Sequence, residues 1–323
     1  MTRTTRAGSL PAGLALPTLA ALSLFLGGCP ITKRPRHDAG LDAGRDADAP
    51  GLDAGPGPDA GEPERDAGSD AGTNTGDAGS PDIVLAVDFE GTPLGAYTDA
   101  RVRADWPGTR FVMSTRATIV EEGGNRFVRV LYPEGTWGSS TNGAQWQVGF
   151  VRSYRELWLR YRVRFGQGFN PVRGGKLPGL IGGAANVGGR PSNGTDGWSA
   201  RMMWRSELAA VQYVYHADQP TQYGQDFPWN IGGQRHFVPG TWHTVEHRIV
   251  MNTPGVNDGI IQGWLDGELA LDARTIRFRD VDTFAIDGIY FSTFFGGSTA
   301  DWAPVKDEIV DFDDFVVSTA RLP

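Results

Sequence analysis

From Leu157 to Phe165 hydrophobic and polar side chains alternate without a break. Leu157, Leu159, Tyr161, Val163 and Phe165 share one parity; Trp158, Arg160, Arg162 and Arg164 share the other. Successive side chains of an extended chain point to opposite faces, so this is a strand with one buried and one polar face. Ile83–Glu90 opens a series of similar runs, Arg126–Tyr132 alternates in the same way, and Ile286–Phe295 and Glu308–Val317 supply the last strands. Asp266-Gly267, between Ile260–Leu265 and Glu268–Leu271, predicts a tight hairpin, because both residues accept a positive φ. No long stretch carries a helical period. Short strands joined by glycine-rich turns predict an all-β domain, an antiparallel sandwich of the jelly-roll type with a concave cleft.

Trp198–Arg205 sorts its side chains further. Trp198, Ala200, Met202 and Trp204 form the apolar set, and Ser199, Arg201, Met203 and Arg205 stand opposite. Two arginines on the concave face of a sheet would give it a cationic floor. Val211, Tyr213 and Tyr215 share a face of the next run. Upstream, Lys176 stands in Gly174-Gly175-Lys176-Leu177-Pro178-Gly179-Leu180, whose glycines and proline predict a turn. Lys176, Ser199, Arg201, Tyr213 and Tyr215 are expected to converge on one acidic sugar. The plainer reading of the tyrosines, as half-buried sheet aromatics, stays open on the pattern alone.

Charge changes the picture at the N-terminal end. The net charge is −8, but residues 30–82 carry twelve acidic and five basic side chains, and residues 83–323 keep only −3. The acidity therefore says little about a ligand of the domain, and no basic block suggests nucleic acid. Residues 30–82 repeat Asp-Ala-Gly, as at Asp38-Ala39-Gly40, Asp42-Ala43-Gly44, Asp59-Ala60-Gly61 and Asp77-Ala78-Gly79. With no aromatic residue and few aliphatics, this stretch is expected to be a disordered tether spanning roughly 40 Å r.m.s.. It lacks the ligand spacing and closing Glu of a calcium loop.

Ahead of the tether, Arg3 and Arg6 precede an apolar run from Leu14 to Leu26, then Gly27-Gly28-Cys29. This is the layout of an export signal over residues 1–28, too short to span a bilayer. Leu26-Gly27-Gly28-Cys29 resembles the bacterial lipobox, which implies a lipidated Cys29 as the mature N-terminus and membrane attachment by lipid alone. Pro30 after the cysteine implies the outer membrane in a Gram-negative host. Cys29 is the chain's one cysteine, so intrachain disulfides and cysteine-based zinc sites are excluded.

Across residues 83–323 a set of motifs appears in order. They are Tyr132-Pro133-Glu134-Gly135-Thr136, Gly143-Ala144-Gln145-Trp146, Tyr161-x-Val163-x-Phe165 leading to the Lys176 segment, and Asn252-Thr253-Pro254-Gly255 with Asp258-Gly259. Trp264-x-Asp266-Gly267, Phe291–Ser298 and Phe312-Asp313-Asp314-Phe315 complete it. In these motifs the chain resembles polysaccharide lyase family 14, whose members cleave alginate or related glucuronate polymers on a β-jelly roll. The resemblance implies an acidic polysaccharide substrate, no cofactor or metal, and a catalytic set of Lys176, Ser199, Arg201, Tyr213 and Tyr215. The glycine- and asparagine-rich Gly182–Gly197 segment is a departure expected to reshape the cleft rim, and Trp146 one expected to alter subsite packing.

Such a lyase removes the C5 proton of a uronate, expels the O4 substituent and leaves a C4=C5 double bond. It needs a group to neutralise the carboxylate, a base and an acid. The planar fork of Arg201 suits the carboxylate, with Ser199 adding a hydrogen bond. Tyr213 or Tyr215 is expected to move the protons, as base because neighbouring cations favour the phenolate and as acid in turn, with Arg201 and Lys176 neutralising charge; Lys176 is the base instead if desolvation lowers its pKa. Gln145, Arg162, Arg164 and Arg205 are candidates for binding the polymer. The alternative function is a non-catalytic carbohydrate-binding surface lipoprotein.

Two other motifs are set aside. His243-x-x-Glu246-His247 has the spacing of an inverted zinc-peptidase motif but sits in a β-prone run, where the imidazoles stand about 13 Å apart. Glu308–Asp313 loosely resembles the acidic strand of laminarinase-type glycosidases, but its spacing does not set two carboxyls across a glycosidic bond.

Overall fold

A computed structural model describes residues 81–323. The expected signal peptide, Cys29 and nearly all of the expected tether lie outside the described residues. The strands are, in chain order, β1 (Ile83–Val87), β2 (Gly95–Ala96), β3 (Thr109–Met113), β4 (Ala117–Glu122), β5 (Asn125–Tyr132), β6 (Ala144–Tyr154), β7 (Glu156–Phe165) and β8 (Gly174–Gly183). Then come β9 (Gly197–Arg205), β10 (Ala210–Tyr215), β11 (Gln225–Pro228), β12 (Trp242–Val250), β13 (Gly259–Leu265), β14 (Glu268–Ile276), β15 (Ile286–Phe295) and β16 (Glu308–Ser318). The α-helices among the described residues are short, at seven and four residues.

The strands form two antiparallel sheets. One runs β14-β13-β12-β7-β16-β5-β4-β2, with β1 also on β16; the other runs β11-β10-β9-β8-β15-β6-β3. Long-range pairing of this kind gives the expected jelly-roll sandwich, and its core lies between the sheets. The apolar parity of β7 meets Trp198, Ala200, Met202 and Trp204 of β9 there. Phe165 and Trp204, from opposite sheets, pack edge to face at 5.5 Å. Burying one face of each strand removes apolar area from water at about 25 cal/mol per Å², which is why the alternation predicts the layer correctly.

The Asp266-Gly267 turn is the expected hairpin. Its φ values are 52° and 83°, and Leu265 pairs with Glu268 across it. The Lys176 segment, in contrast, is no turn. Residues 174–183 are a strand at the middle of the seven-stranded sheet. Its glycines answer to packing: a Cβ on Gly175 would sit 2.2 Å from the Trp204 ring, and one on Gly179 2.1 Å from the Ala200 carbonyl oxygen. Pro178, which has no N–H for the ladder, sits where the register shifts between Leu177 and Gly179.

Trp146 points into the core, stacked on Phe291 at 3.7 Å and fully buried. It therefore does not reach the subsites, because strand parity gives the outer face to Gln145 instead. His243-x-x-Glu246-His247 lies on β12, and no metal-holding group of three His, Cys, Asp or Glu occurs among the described residues.

Candidate active site

The outer face of the seven-stranded sheet carries a cleft of about 410 Å³. Its floor follows from the register. Tyr213 pairs with Arg201, Arg201 with Gly179, and Gly179 with Tyr290, so these four stand in one row across β10, β9, β8 and β15. The adjacent row runs Val211, Met203, Lys176, Phe294. Gly179 has no side chain, and across it the Arg201 guanidinium carbon stands 5.5 Å from the Tyr290 ring centroid. The alternation that sends Trp198 and Trp204 to the core thus sends Arg201 and Arg205 to the cleft, with Met203 buried between them on the same side.

Lys176 is buried at the centre. Its Nζ donates to Met203 Sδ at 3.0 Å and lies 4.3 Å from the Tyr213 ring centroid. Burial first, then the Arg201 and Arg205 guanidiniums, hold the amine well below the ordinary lysine pKa. Arg201 is 2 % exposed and donates from Nη1 to Ser292 Oγ at 3.1 Å, while its buried Nε has no partner. Neither cation forms a salt bridge among the described residues. Arg205 does, gripping Asp226 through two bonds of 2.6 and 2.8 Å. Lys176, Arg201 and Arg205 all flank the ring of Tyr213 within 6 Å. Among the described residues a single carboxylate, Asp226, pairs with these three basic side chains, an arrangement that suits an anion.

The phenols are held from above. Gly224 N–H donates to Tyr213 Oη at 3.1 Å and Gly189 N–H to Tyr215 Oη at 3.0 Å. Their rings meet edge to face, with centroids 5.7 Å apart. The cations were expected to favour a phenolate at Tyr213. Burial outweighs them and raises its pKa, with the neighbouring Tyr215 adding to the rise.

Of the residues singled out from sequence, Gln145, Lys176, Arg201, Arg205, Tyr213 and Tyr215 line the cleft. Ser199 does not. It is fully buried under the Gly182–Gly197 segment, and its Oγ donates to the Asn186 carbonyl at 2.6 Å. That segment contributes Val187 and Gly188 to the lining of the cleft. Arg162 and Arg164 are not brought to the cleft. They lie on β7 in the other sheet, with its polar parity facing outward, and pair with Asp314 (3.2 Å) and Asp311 (2.8 Å). Tyr290, Ser292, Phe294 and Trp302 were missed. Tyr290 donates to Gln145 Oε1 at 2.6 Å, fixing the amide, and Trp302 forms part of the wall. The alternation Tyr290, Ser292, Phe294 within the predicted strand 286–295 held the signal for three of them.

Comparison with known proteins gives the family and the fold. The sequence pattern of the family described as polysaccharide lyase 14 matches residues 120–315. The solved alginate lyase Aly36B is 29% identical, with a TM-score of 0.64 over 74% of this chain and 98% of its own. An Aly36B mutant changed to alanine at one lysine and one tyrosine, solved with an alginate tetrasaccharide, is 28% identical over 74% of this chain and 98% of its own, with a TM-score of 0.65. A marine PL-14 alginate lyase from Aplysia kurodai shares the fold at 24% identity, with a TM-score of 0.63 over 74% of this chain and all of its own. Among curated proteins, none matches the chain significantly.

Proposed function

Because the chain belongs to the polysaccharide lyase 14 family, we propose that it cleaves a polyuronate, alginate first, by β-elimination at this cleft. The observation that carries the proposal is the pair of buried basic side chains, Lys176 and Arg201, without carboxylate partners beside two loop-held phenols. Aly36B, captured with alginate after replacement of a lysine and a tyrosine, supports the choice of substrate and the same two residue types.

In this reading Arg201, whose Nε has no partner, donates guanidinium N–H bonds to the uronate carboxylate as a fork does. Neutralising that carboxylate lets the charge left at C5 spread into it. A lysine with a depressed pKa is a neutral amine over more of the working pH range, so Lys176 takes the C5 proton. The C5–H electrons form C4=C5, the C4–O4 bond breaks, and the leaving oxygen takes a proton from Tyr213 or Tyr215. A phenol with a raised pKa keeps its proton until then, which favours the role of acid over that of base at Tyr213. Gln145, oriented by Tyr290, borders the same pocket as an amide donor.

Incubation with alginate, polymannuronate, polyguluronate and glucuronan, followed by the ultraviolet absorbance of unsaturated uronate, tests this. Binding without any absorbance rise from neutral to alkaline pH would leave the carbohydrate-binding alternative. We extend the proposal to a lipid anchor at Cys29, for which the Leu26–Cys29 motif is the support. Mass spectrometry of the mature N-terminus checks it, and an unmodified Cys29 rejects it.

A further inference from the structure

The hydroxyl of Ser199 is out of reach of the cleft, yet its surroundings tie it to the tyrosine pair. Ser199 stands directly across the ladder from Tyr215. It is fully buried, and its Oγ holds the carbonyl of Asn186, at the start of the segment that connects β8 to β9. Asn186 in turn donates from Nδ2 to the Pro191 carbonyl (2.9 Å) and to Asp196 (2.8 Å), closing that segment on itself. Three residues past Asn186, Gly189 N–H reaches Tyr215 Oη. The opposite rim, between β10 and β11, supplies Gly224 N–H to Tyr213 Oη. Gln222 Nε2 joins the two rims by donating to the Gly189 carbonyl at 3.2 Å.

We infer that Ser199 and Gln222 are positioning residues: together they hold two loop amides on the two phenol oxygens and so preset the proton donor of the elimination. The physics is simple. A phenol oxygen that accepts a backbone N–H has a fixed ring and a fixed lone pair, so its own O–H is left to aim into the cleft. The same N–H stabilises the phenolate that remains once the proton has gone. Close approach is part of the device, since a Cβ on Gly224 would lie 2.9 Å from the Tyr215 ring and 3.0 Å from Tyr213 Cζ. This rests on the lyase reading for its chemistry, but the mechanical link from Ser199 to the Gly189 amide stands apart from it.

Two measurements on the full chain separate the two. Hydrogen exchange of the peptide covering 184–197 reads the link directly: Ser199→Ala is expected to speed its exchange about tenfold, as loss of one buried hydrogen bond would. On a cleaved polyuronate, Ser199→Ala should lower kcat roughly 10- to 100-fold with KM within about threefold. The alkaline limb of its kcat profile should move to higher pH, because the phenol has lost the donor that favours its ionisation. Ser199→Thr, which keeps the hydroxyl, should restore kcat. Gln222→Ala, at an exposed position and so safe for folding, should change exchange and kcat in the same direction by about threefold. Wild-type exchange of 184–197 in Ser199→Ala overturns the link. A loosened loop with kcat within twofold of wild type overturns its bearing on the tyrosines, and a loss carried wholly by KM sets the hydroxyl against substrate instead. Inactivity of the wild type on every polyuronate would sink the lyase reading alone, with exchange still deciding the link.

Discussion

His247 sits fully buried on β12, opposite Leu159 on one side and Gly263 on the other, and neither ring nitrogen has a hydrogen-bond partner. Burial alone pushes its pKa down to about 3 from 6.5. The unfolded chain therefore binds a proton below pH 6.5 that the folded one refuses, so stability is full above 6.5 and is lost as pH falls toward 3. At pH 4.5 that loss is two pH units' worth, about 3 kcal/mol, and its limit is about 5 kcal/mol. The wild-type profile alone hides much of this. Asp313, raised to about 6 chiefly by burial, acts in the opposite sense and becomes less costly as pH falls. Between pH 7.5 and 4.5 it gives back about 2 kcal/mol. A His247→Leu variant isolates the imidazole, because Asp313 is common to both proteins and cancels. Urea unfolding at pH 7.5 and pH 4.5 should show the variant gaining about 3 kcal/mol on wild type between the two. A gain under about 0.5 kcal/mol would refute the reasoning and mean that the folded imidazole accepts its proton at an ordinary pKa.

Lys176→Met should cut turnover by about 10²–10⁴-fold, the usual contribution of a positioned base, measured as the rate of unsaturated product formation. The same variant should unfold at higher urea than wild type at pH 7. The folded state holds its amine at a lowered pKa, so the destabilisation it removes fades as pH rises to about 10.4, the ordinary lysine value. Gly224→Ala should displace both tyrosine rings, costing at least about tenfold in kcat while the melting temperature moves by only a few degrees.

The alternation in Leu157–Phe165 and in Trp198–Arg205 settled which side chains share a face before any contact was known, because parity is a local property of an extended chain. The Asp266-Gly267 hairpin was legible for the same reason, since two positive φ values within two residues are a local demand. Parity is silent about what a face looks at. Arg162 and Arg164 follow the same pattern as Ser199 and Arg201, yet one pair lies on the outer face of the wrong sheet. Within the other pair, a segment 13 positions earlier in the chain covers Ser199 and leaves Arg201 on the cleft. Gly174–Leu180 read as a turn because glycine and proline are turn residues, whereas the Trp204 indole over Gly175, the Ala200 carbonyl against Gly179 and the register shift at Pro178 explain them in a central strand. The protonation chemistry was least visible of all. Whether cations or desolvation governs Tyr213 and Lys176 depends on how much water the two rim loops exclude, and that is decided by tertiary structure alone.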